Sequence, residues 1–343
     1  MTQRKNILVA GIGGASLGTE ILKCLALARD RYAAFGCDIS GLAYGHYQEG
    51  VEETFVVDRG RYVESVLEVC RAARIDCIVP GGEEPLRLLS AAREALAAAG
   101  VQFAANSPNV VEAFTDKEKT FERLAALGFD VPRTATGRRA EDLDAIPLPC
   151  VIKPATGSGG STFVFLAETR KEVAAYVEYL TAAGRTALAQ EYVPETEGEF
   201  TVGVLSCSDG RLVGSIALRR TLGPKLSVLH RSQAGVISTG YSQGLIQAFP
   251  EVCAAAERIA AAVGSQGPMN VQGRVRNGAL VPFEINPRFS ATTYLRAMAG
   301  FNEVDLLLRH LLWGEDVSKP AIRPGYYLRS FCETWVPSDK VRS

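Results

Sequence analysis

The sequence predicts a chain in two parts, an α/β first half followed by an α+β second half. Three observations carry this. Short apolar runs alternate with helical stripes over the first hundred or so residues. That alternation stops after Gly128. Hairpin patterns then dominate the remainder.

Element by element, residues 7–10 read as an apolar strand. Leu17, Ile21, Leu22 and Leu25 form the stripe of a helix. Residues 33–38 and 55–58 read as strands. Val63, Val66, Leu67 and Cys70 mark a second helix, and residues 77–80 a short strand. One helix is predicted over residues 85–99, stopped by Gly100, with a strand over 102–105. This is the grammar of a doubly wound parallel sheet. A helix over residues 116–127 closes at Gly128. Residues 138–149 form a polar, proline-bearing connection. Residues 151–153 and 162–167 read as strands, 171–181 as a helix, and 199–207 with 212–220 as a hairpin around Ser208-Asp209-Gly210. The expected organisation is an α/β domain over residues 1–112, a small subdomain over 113–195 and a larger one over 196–343.

At 343 residues there is room for two or three domains with cores of their own. Hydrophobic content of 47% with 22% charged residues is that of a soluble globular protein. A net charge of −1 gives no broad field for nucleic acid or an anionic membrane. No run of about 18 apolar residues marks a membrane span. The apolar run at the N-terminus is short and breaks into glycines, as a strand and turn would, not a signal peptide. Eight cysteines show neither CxxC nor zinc spacing. Most lie in apolar runs, as expected of reduced thiols in a cytoplasmic protein.

The chemistry concentrates in Phe283-Glu284-Ile285-Asn286-Pro287-Arg288. Glu284 and Asn286 sit two apart and share a face on a strand. A carboxylate and an amide carbonyl suit a hard cation such as Mg²⁺. Arg288 follows, where a guanidinium could face a phosphoryl group. Residues 269–276 and 279–286 flank Asn277-Gly278, a hairpin signal. A strict two-residue turn would place Gln272 opposite Phe283. The apolar positions Val271 and Val275, and Val281, Phe283 and Ile285, instead ask to share the buried face. That requires a three-residue loop or a bulge and sets Gln272 opposite Glu284. Taken alone, Gln272, Glu284 and Asn286 equally describe a solvated hairpin face.

Two glycine-rich turns add candidates. Gly157-Ser158-Gly159-Gly160-Ser161 follows the strand bearing Lys153. Its backbone N–H groups could approach phosphate oxygens, or it is a plain hairpin loop. Gly11-Ile12-Gly13-Gly14-Ala15-Ser16 follows the first strand, and Asp38 ends the second. A dinucleotide site, and with it an NAD-dependent oxidoreductase, is one reading. Ser16 in place of the third glycine favours a tight turn, one that could face a substrate. Glu83 and Glu84 follow the fourth strand, where acids suit a helix N-terminus. His230 lies in a basic stretch with Arg219, Arg220 and Arg231, while His46 and His310 lack ligand spacing. Arg219, Arg220, Arg231 and Arg296 are candidates for a substrate carboxylate.

In order, the pieces resemble the ATP-grasp superfamily, most closely its carbamoyl-phosphate-synthase-like branch. The resemblance rests on Thr115-Asp116-Lys117, Val151-Ile152-Lys153-Pro154 with Gly157-Ser158-Gly159-Gly160, and Gln190-Glu191-Tyr192-Val193. It continues in Gly198-Glu199-Phe200-Thr201-Val202, Asn270-Val271-Gln272 and Glu284-Ile285-Asn286-Pro287-Arg288. It implies a pre-ATP-grasp domain ahead of a two-subdomain ATP-grasp unit. It further implies that Lys117 and Lys153 hold nucleotide phosphates under a lid made by Gly157, Ser158, Gly159 and Gly160. Glu191 and the Val193 backbone would meet adenine, and Glu199 the ribose. Gln272, Glu284 and Asn286 would hold Mg²⁺, with Mn²⁺ as a substitute, and Arg288 would steady the transferred phosphoryl group; Arg288 and Lys153 are the catalytic pair.

The implied reaction is ATP-dependent ligation of a small carboxylate to an amine through an acyl phosphate. It needs no enzyme nucleophile, and no Ser/His/Asp or Cys/His signature occurs. The chain matches one half-unit of the synthase and carries no glutaminase-like motif, which suggests a stand-alone ligase. A carbamate or carboxylate kinase and a non-catalytic nucleotide-binding module are the other readings. Dimers are frequent in the superfamily, so a homodimer is an expected assembly. The segment after about residue 310 has no counterpart in the resemblance, and parts of it could add strands to the second half.

Overall fold

The computed structural model describes residues 3–13, 17–114, 117–156, 163–222, 227–231, 235–240, 242–330 and 332–342. Its first half is built from β1 (Lys5–Ala10), α1 (Leu17–Ala26), β2 (Tyr32–Asp38), β3 (Glu53–Val56), α2 (Tyr62–Ala72), β4 (Cys77–Pro80), α3 (Glu83–Ala91), α4 (Arg93–Ala98) and β5 (Gln102–Phe103). The strands form one parallel sheet in the order β3-β2-β1-β4-β5. From Ile7 onward β1 is apolar without interruption because both its faces are covered. Ile7 and Val9 join Ile21 and Leu25 of α1 in one core, while Leu8 and Ala10 join Val66 of α2 and Leu89 of α3 in the other.

The single helix expected over residues 85–99 is two. It starts earlier, at Glu83, because Pro85 fits the first turn, where no intrahelical N–H is needed. It breaks at Ala92, beyond which Arg93 turns its guanidinium onto the carbonyl oxygens of Ala105 and Asn106.

Two short helices, α5 (Pro108–Ala113) and α6 (Lys117–Ala126), lead to a four-stranded antiparallel sheet ordered β6-β9-β7-β8. Its strands are β6 (Thr134–Gly137), β7 (Cys150–Pro154), β8 (Phe165–Ala167) and β9 (Ala187–Glu191). Helix α7 (Arg170–Ala182) covers it with Val173, Val177 and Leu180. Thr169 caps α7 reciprocally with Glu172, which fixes where it begins.

A six-stranded antiparallel sheet completes the chain, in the order β16-β15-β10-β11-β14-β17. It contains β10 (Glu199–Ser206) and β11 (Leu212–Arg220). A separate ribbon pairs β12 (Ser227–Arg231) with β13 (Val236–Gly240), and the sheet resumes at β14 (Gly244–Ile246). Helix α8 (Pro250–Ala262) precedes β15 (Pro268–Arg276) and β16 (Ala279–Asn286), and α9 (Thr293–Met298) and α10 (Glu303–Trp313) precede β17 (Gly325–Tyr327). Helix α8 packs Ala256 and Ile259 on Val202, Val204 and Val271. The opposite face meets α9 and α10 in the core that also holds α1, so the parallel and antiparallel sheets share hydrophobic contacts. Strand β17 pairs with β14, so the tail does add a strand.

Asn277 and Gly278, with φ of 54° and 75°, form a two-residue turn closed by Arg276 opposite Ala279. The register still delivers Gln272 opposite Glu284, because a bulge at Phe283 shifts it before Gly273 pairs with Pro282. The bulge therefore sits inside the strands and not at the turn. It also reverses the facing of the strand segment beyond it. Leu280, not Val281 or Phe283, joins Met269, Val271 and Ile285 in the core, and Val281 lies opposite Arg274.

Candidate nucleotide and metal site

Strands β7 and β9 of the four-stranded sheet and β10, β15 and β16 of the six-stranded sheet face one cleft. Period-two spacing brings Asn270, Gln272 and Arg274 of β15 onto its wall together. Across the bulge, Glu284 and then Arg288 complete that wall, and Lys153 and Gln190 stand on the other side.

The Lys153 ammonium is buried and donates to Gln190 Oε1 at 2.8 Å and to the Phe283 carbonyl at 3.1 Å. Burial, and then repulsion from Lys117, lower its pKa to about 7 against the pull of Glu284. For Glu284, burial works upward, but Lys117, Lys153, the Asn286 hydrogen bond and Arg288 together hold the carboxyl below its ordinary value. Glu284 is thus ionised and surrounded by positive charge. One of its oxygens accepts from Asn286 Nδ2 at 3.0 Å. Arg288 donates to Glu83 at 2.8 Å and to the Phe289 carbonyl at 3.0 Å, while its buried Nε has no partner among the described residues. Lys117 begins α6, its backbone N–H meeting the Ala155 carbonyl at 3.4 Å. Gln272, Glu284, Asn286, Lys117, Lys153 and Arg288 thus meet at one end.

Glu191, Val193 and Glu199 line the other end, but both carboxylates are already occupied. Glu191 accepts from Arg276 at 2.9 Å and from the Arg133 backbone at 3.0 Å. Burial would raise its pKa; the Arg133 N–H and Arg276 outweigh that and lower it. Glu199 accepts from Arg220 through one oxygen and from Arg274 Nε at 2.8 Å through the other. Arg274 also holds the carbonyls of Val193 and Val236, at 2.7 and 2.6 Å, and stacks 4.9 Å from the Tyr192 ring centroid.

Sequence reasoning missed Arg274, although it lies two residues from Gln272 on the same strand face. It also misjudged Arg296, which is not open to a substrate. Its guanidinium is wholly buried against Glu303, Thr201 and Asn270. Gly203 makes room for it: a Cβ there would lie 2.2 Å from that guanidinium. Of the other candidates, Gly157, Ser158, Gly159 and Gly160 lie outside the described residues, as do the side chains of His230 and Arg231. His46 is buried, with Nε2 on the Ser40 carbonyl. Gly11 and Asp38 meet in a separate crevice. The eight cysteines are free thiols. Cys207 and His310 approach Asp209 at the surface, where Arg211 already donates to the Cys207 sulfur. Among the described residues no helix is long and apolar enough to cross a membrane.

A family model described as "ATP-grasp in the biosynthetic pathway with Ter operon" matches residues 184–332. The carbamoyl phosphate synthase large chain of Halomonas eurihalina is 27% identical over 246 residues, 67% of this chain and 21% of that one. The chain thus spans about a fifth of that relative's length. The L-amino acid ligase of Bacillus licheniformis superposes with a TM-score of 0.65 at 18% identity, over 90% of this chain and 74% of that one. The biotin carboxylase domain of the Hydrogenobacter thermophilus 2-oxoglutarate carboxylase, solved with MgADP and bicarbonate, superposes at 0.66 and 19% identity, over 95% and 74%. These likenesses bear out the resemblance read from the ordered motifs: residues 184–332 match an ATP-grasp family model, carbamoyl phosphate synthase large chains are among the chain's relatives, and its fold is shared with ATP-grasp structures.

Proposed function

We propose that the cleft binds ATP with Mg²⁺ and activates a small-molecule carboxylate for attack by an amine. One observation carries the reading: three cations, Lys117, Lys153 and Arg288, converge around an ionised Glu284. The burial and mutual repulsion that drive Lys153 toward neutrality there are relieved when a triphosphate arrives. The parallel-sheet half would be the pre-ATP-grasp domain, with boundaries near residues 112 and 195.

Gln272, Glu284 and Asn286 fit a hard divalent cation. All three offer oxygens, Gln272 stands opposite Glu284, and the second Glu284 oxygen accepts no hydrogen bond in the described structure. When bound, Mg²⁺ would neutralise phosphate charge; Mn²⁺ offers the same coordination. Lys153 and Lys117 would hold phosphate oxygens, and Lys153 regains a full charge when they arrive. Arg288 would orient the γ-phosphoryl group through its unpartnered Nε. At the other end, Glu191 and Val193 would offer backbone groups to adenine. Glu199, fixed by two arginines, would present remaining lone pairs to the ribose hydroxyls.

A carboxylate oxygen then attacks the γ-phosphorus and ADP leaves. The amine attacks the acyl carbon, phosphate leaves, and the nitrogen gives up its proton to solvent. The test is ADP release from ATP–Mg²⁺ across a panel of amino acids and amines, with product masses. An amide product supports ligation. Stable acyl phosphate without coupling favours a carboxylate or carbamate kinase. ATP binding without turnover favours a nucleotide-binding module, and tight NADH binding without ATP binding overturns the reading.

A further inference from the structure

A second crevice opens at the carboxyl edge of the parallel sheet, between β1 and β4, where the strand order reverses. Ligands of doubly wound sheets lodge at such a point. Its walls are Gly11 and Gly13 after β1, Asp38 at the end of β2, Arg59, Tyr62 of α2 and Glu84 of α3. The proposed nucleotide chemistry uses none of them.

Tyr62 is only 8% exposed, and its hydroxyl has no hydrogen-bond partner among the described residues. A buried hydroxyl is normally satisfied, so one left open on a crevice wall points to a ligand. Burial, and then Cys37, Asp38 and Glu84, push its ionisation far upward, so it stays neutral beside two carboxylates. Asp38 is held in place, one oxygen accepting from the Ile12 N–H at 2.8 Å and the other from the Ser40 N–H at 3.1 Å. The crevice therefore presents two carboxylates and a hydroxyl against one guanidinium, Arg59, at its rim. Phosphate-bearing ligands would meet repulsion there, whereas a protonated amine is attracted.

The place also matters. Glu83, next to Glu84, accepts from Arg288 at 2.8 Å, and Arg288 lines the nucleotide cleft. The two cavities are therefore separated by the start of α3.

We propose that this crevice binds a small molecule through its protonated primary amine, held by Asp38, Glu84 and the Tyr62 hydroxyl. Its role as the docking place of the amine substrate rests on the ligase reading above; the binding itself does not. Calorimetric titration of the full-length protein with the twenty proteinogenic amino acids, ethylamine and putrescine, with and without MgADP, tests it. At least one should bind saturably, and N-acetylation of the ligand should abolish binding. Tyr62→Phe and Glu84→Gln should each weaken it by about tenfold, the worth of one hydrogen bond to a charged group, and leave MgADP affinity unchanged. Glu84 is exposed, so Glu84→Gln stays informative if Tyr62→Phe fails to fold. Absence of saturable binding in both states, or affinities within twofold of wild type in the folded variants, overturns the proposal. Failure of MgADP to bind, with amine binding intact, would instead overturn the ligase reading.

Discussion

The two ends of the cleft handle charge in opposite ways. At one end, Glu199 has both oxygens committed to Arg220 and Arg274, and Glu191 has both committed to Arg276 and the Arg133 backbone. At the other end, Glu284 has one hydrogen-bond partner among the described residues, Asn286, and three cations around it. A satisfied buried pair holds a structure together, and breaking it leaves an uncompensated charge. A half-satisfied cluster keeps its capacity for an incoming group. The contrast separates residues that build the cleft from residues positioned to act in it.

The largest expected effect is at the open end. Glu284→Gln should leave thermal unfolding nearly unchanged yet lower turnover more than about a hundredfold, since the amide keeps size but loses the charge a hard cation needs. Turnover within tenfold of wild type would remove Glu284 from the metal site. Arg274→Ala is its counterpart at the closed end. It strips donors from Glu199, Val193 and Val236 together. Denaturant unfolding should show a loss of about 3–5 kcal/mol. An unchanged midpoint would erase the distinction between the two ends.

Lys153 sharpens the comparison through pH. Its folded pKa of about 7 lies below the ordinary lysine value of about 10.4. Between those values the unfolded chain binds one more proton than the folded one. Stability of the free protein should therefore rise with pH through that window and gain nothing from this group below it. Triphosphate would draw the pKa back up, so ATP binding at pH 8 should take up a proton. Binding heats measured in buffers of different ionisation enthalpy would reveal the uptake, and Lys153→Met should remove it. Identical heats in all buffers would contradict the assignment. The smallest effect is expected at Gln272, a neutral donor. Gln272→Ala should raise the Mg²⁺ needed for half-maximal turnover by about tenfold or less; a loss as large as that of Glu284→Gln would show that the hairpin itself had been disturbed.

Much of the molecule was legible along the chain because its cause is local. The buried run at residues 7–10, the stripe of α1 and the Asn277-Gly278 turn each follow from a few neighbouring side chains and their backbone preferences. The Gln272–Glu284 pairing was also legible, since only one register puts the polar side chains together. Where the bulge sits was not, because a three-residue loop and a bulge inside the strands give the same Gln272–Glu284 pairing. The break at Ala92 escaped for another reason: its partners, the carbonyls of Ala105 and Asn106, lie more than ten residues away.

By itself, then, the order of residues determined most of the elements, the parallel arrangement of the first half and the ATP-grasp resemblance. It also determined the list of groups suited to phosphate and metal. Only the tertiary structure decided which of those groups are already neutralised. Glu199 and Glu284 are the same residue type in equally suggestive motifs. One is closed by arginines arriving from β11 and β15, and the other is left open among Lys117, Lys153 and Arg288. Charge compensation depends on distances of a few ångströms between strands far apart in sequence, and no local pattern encodes them.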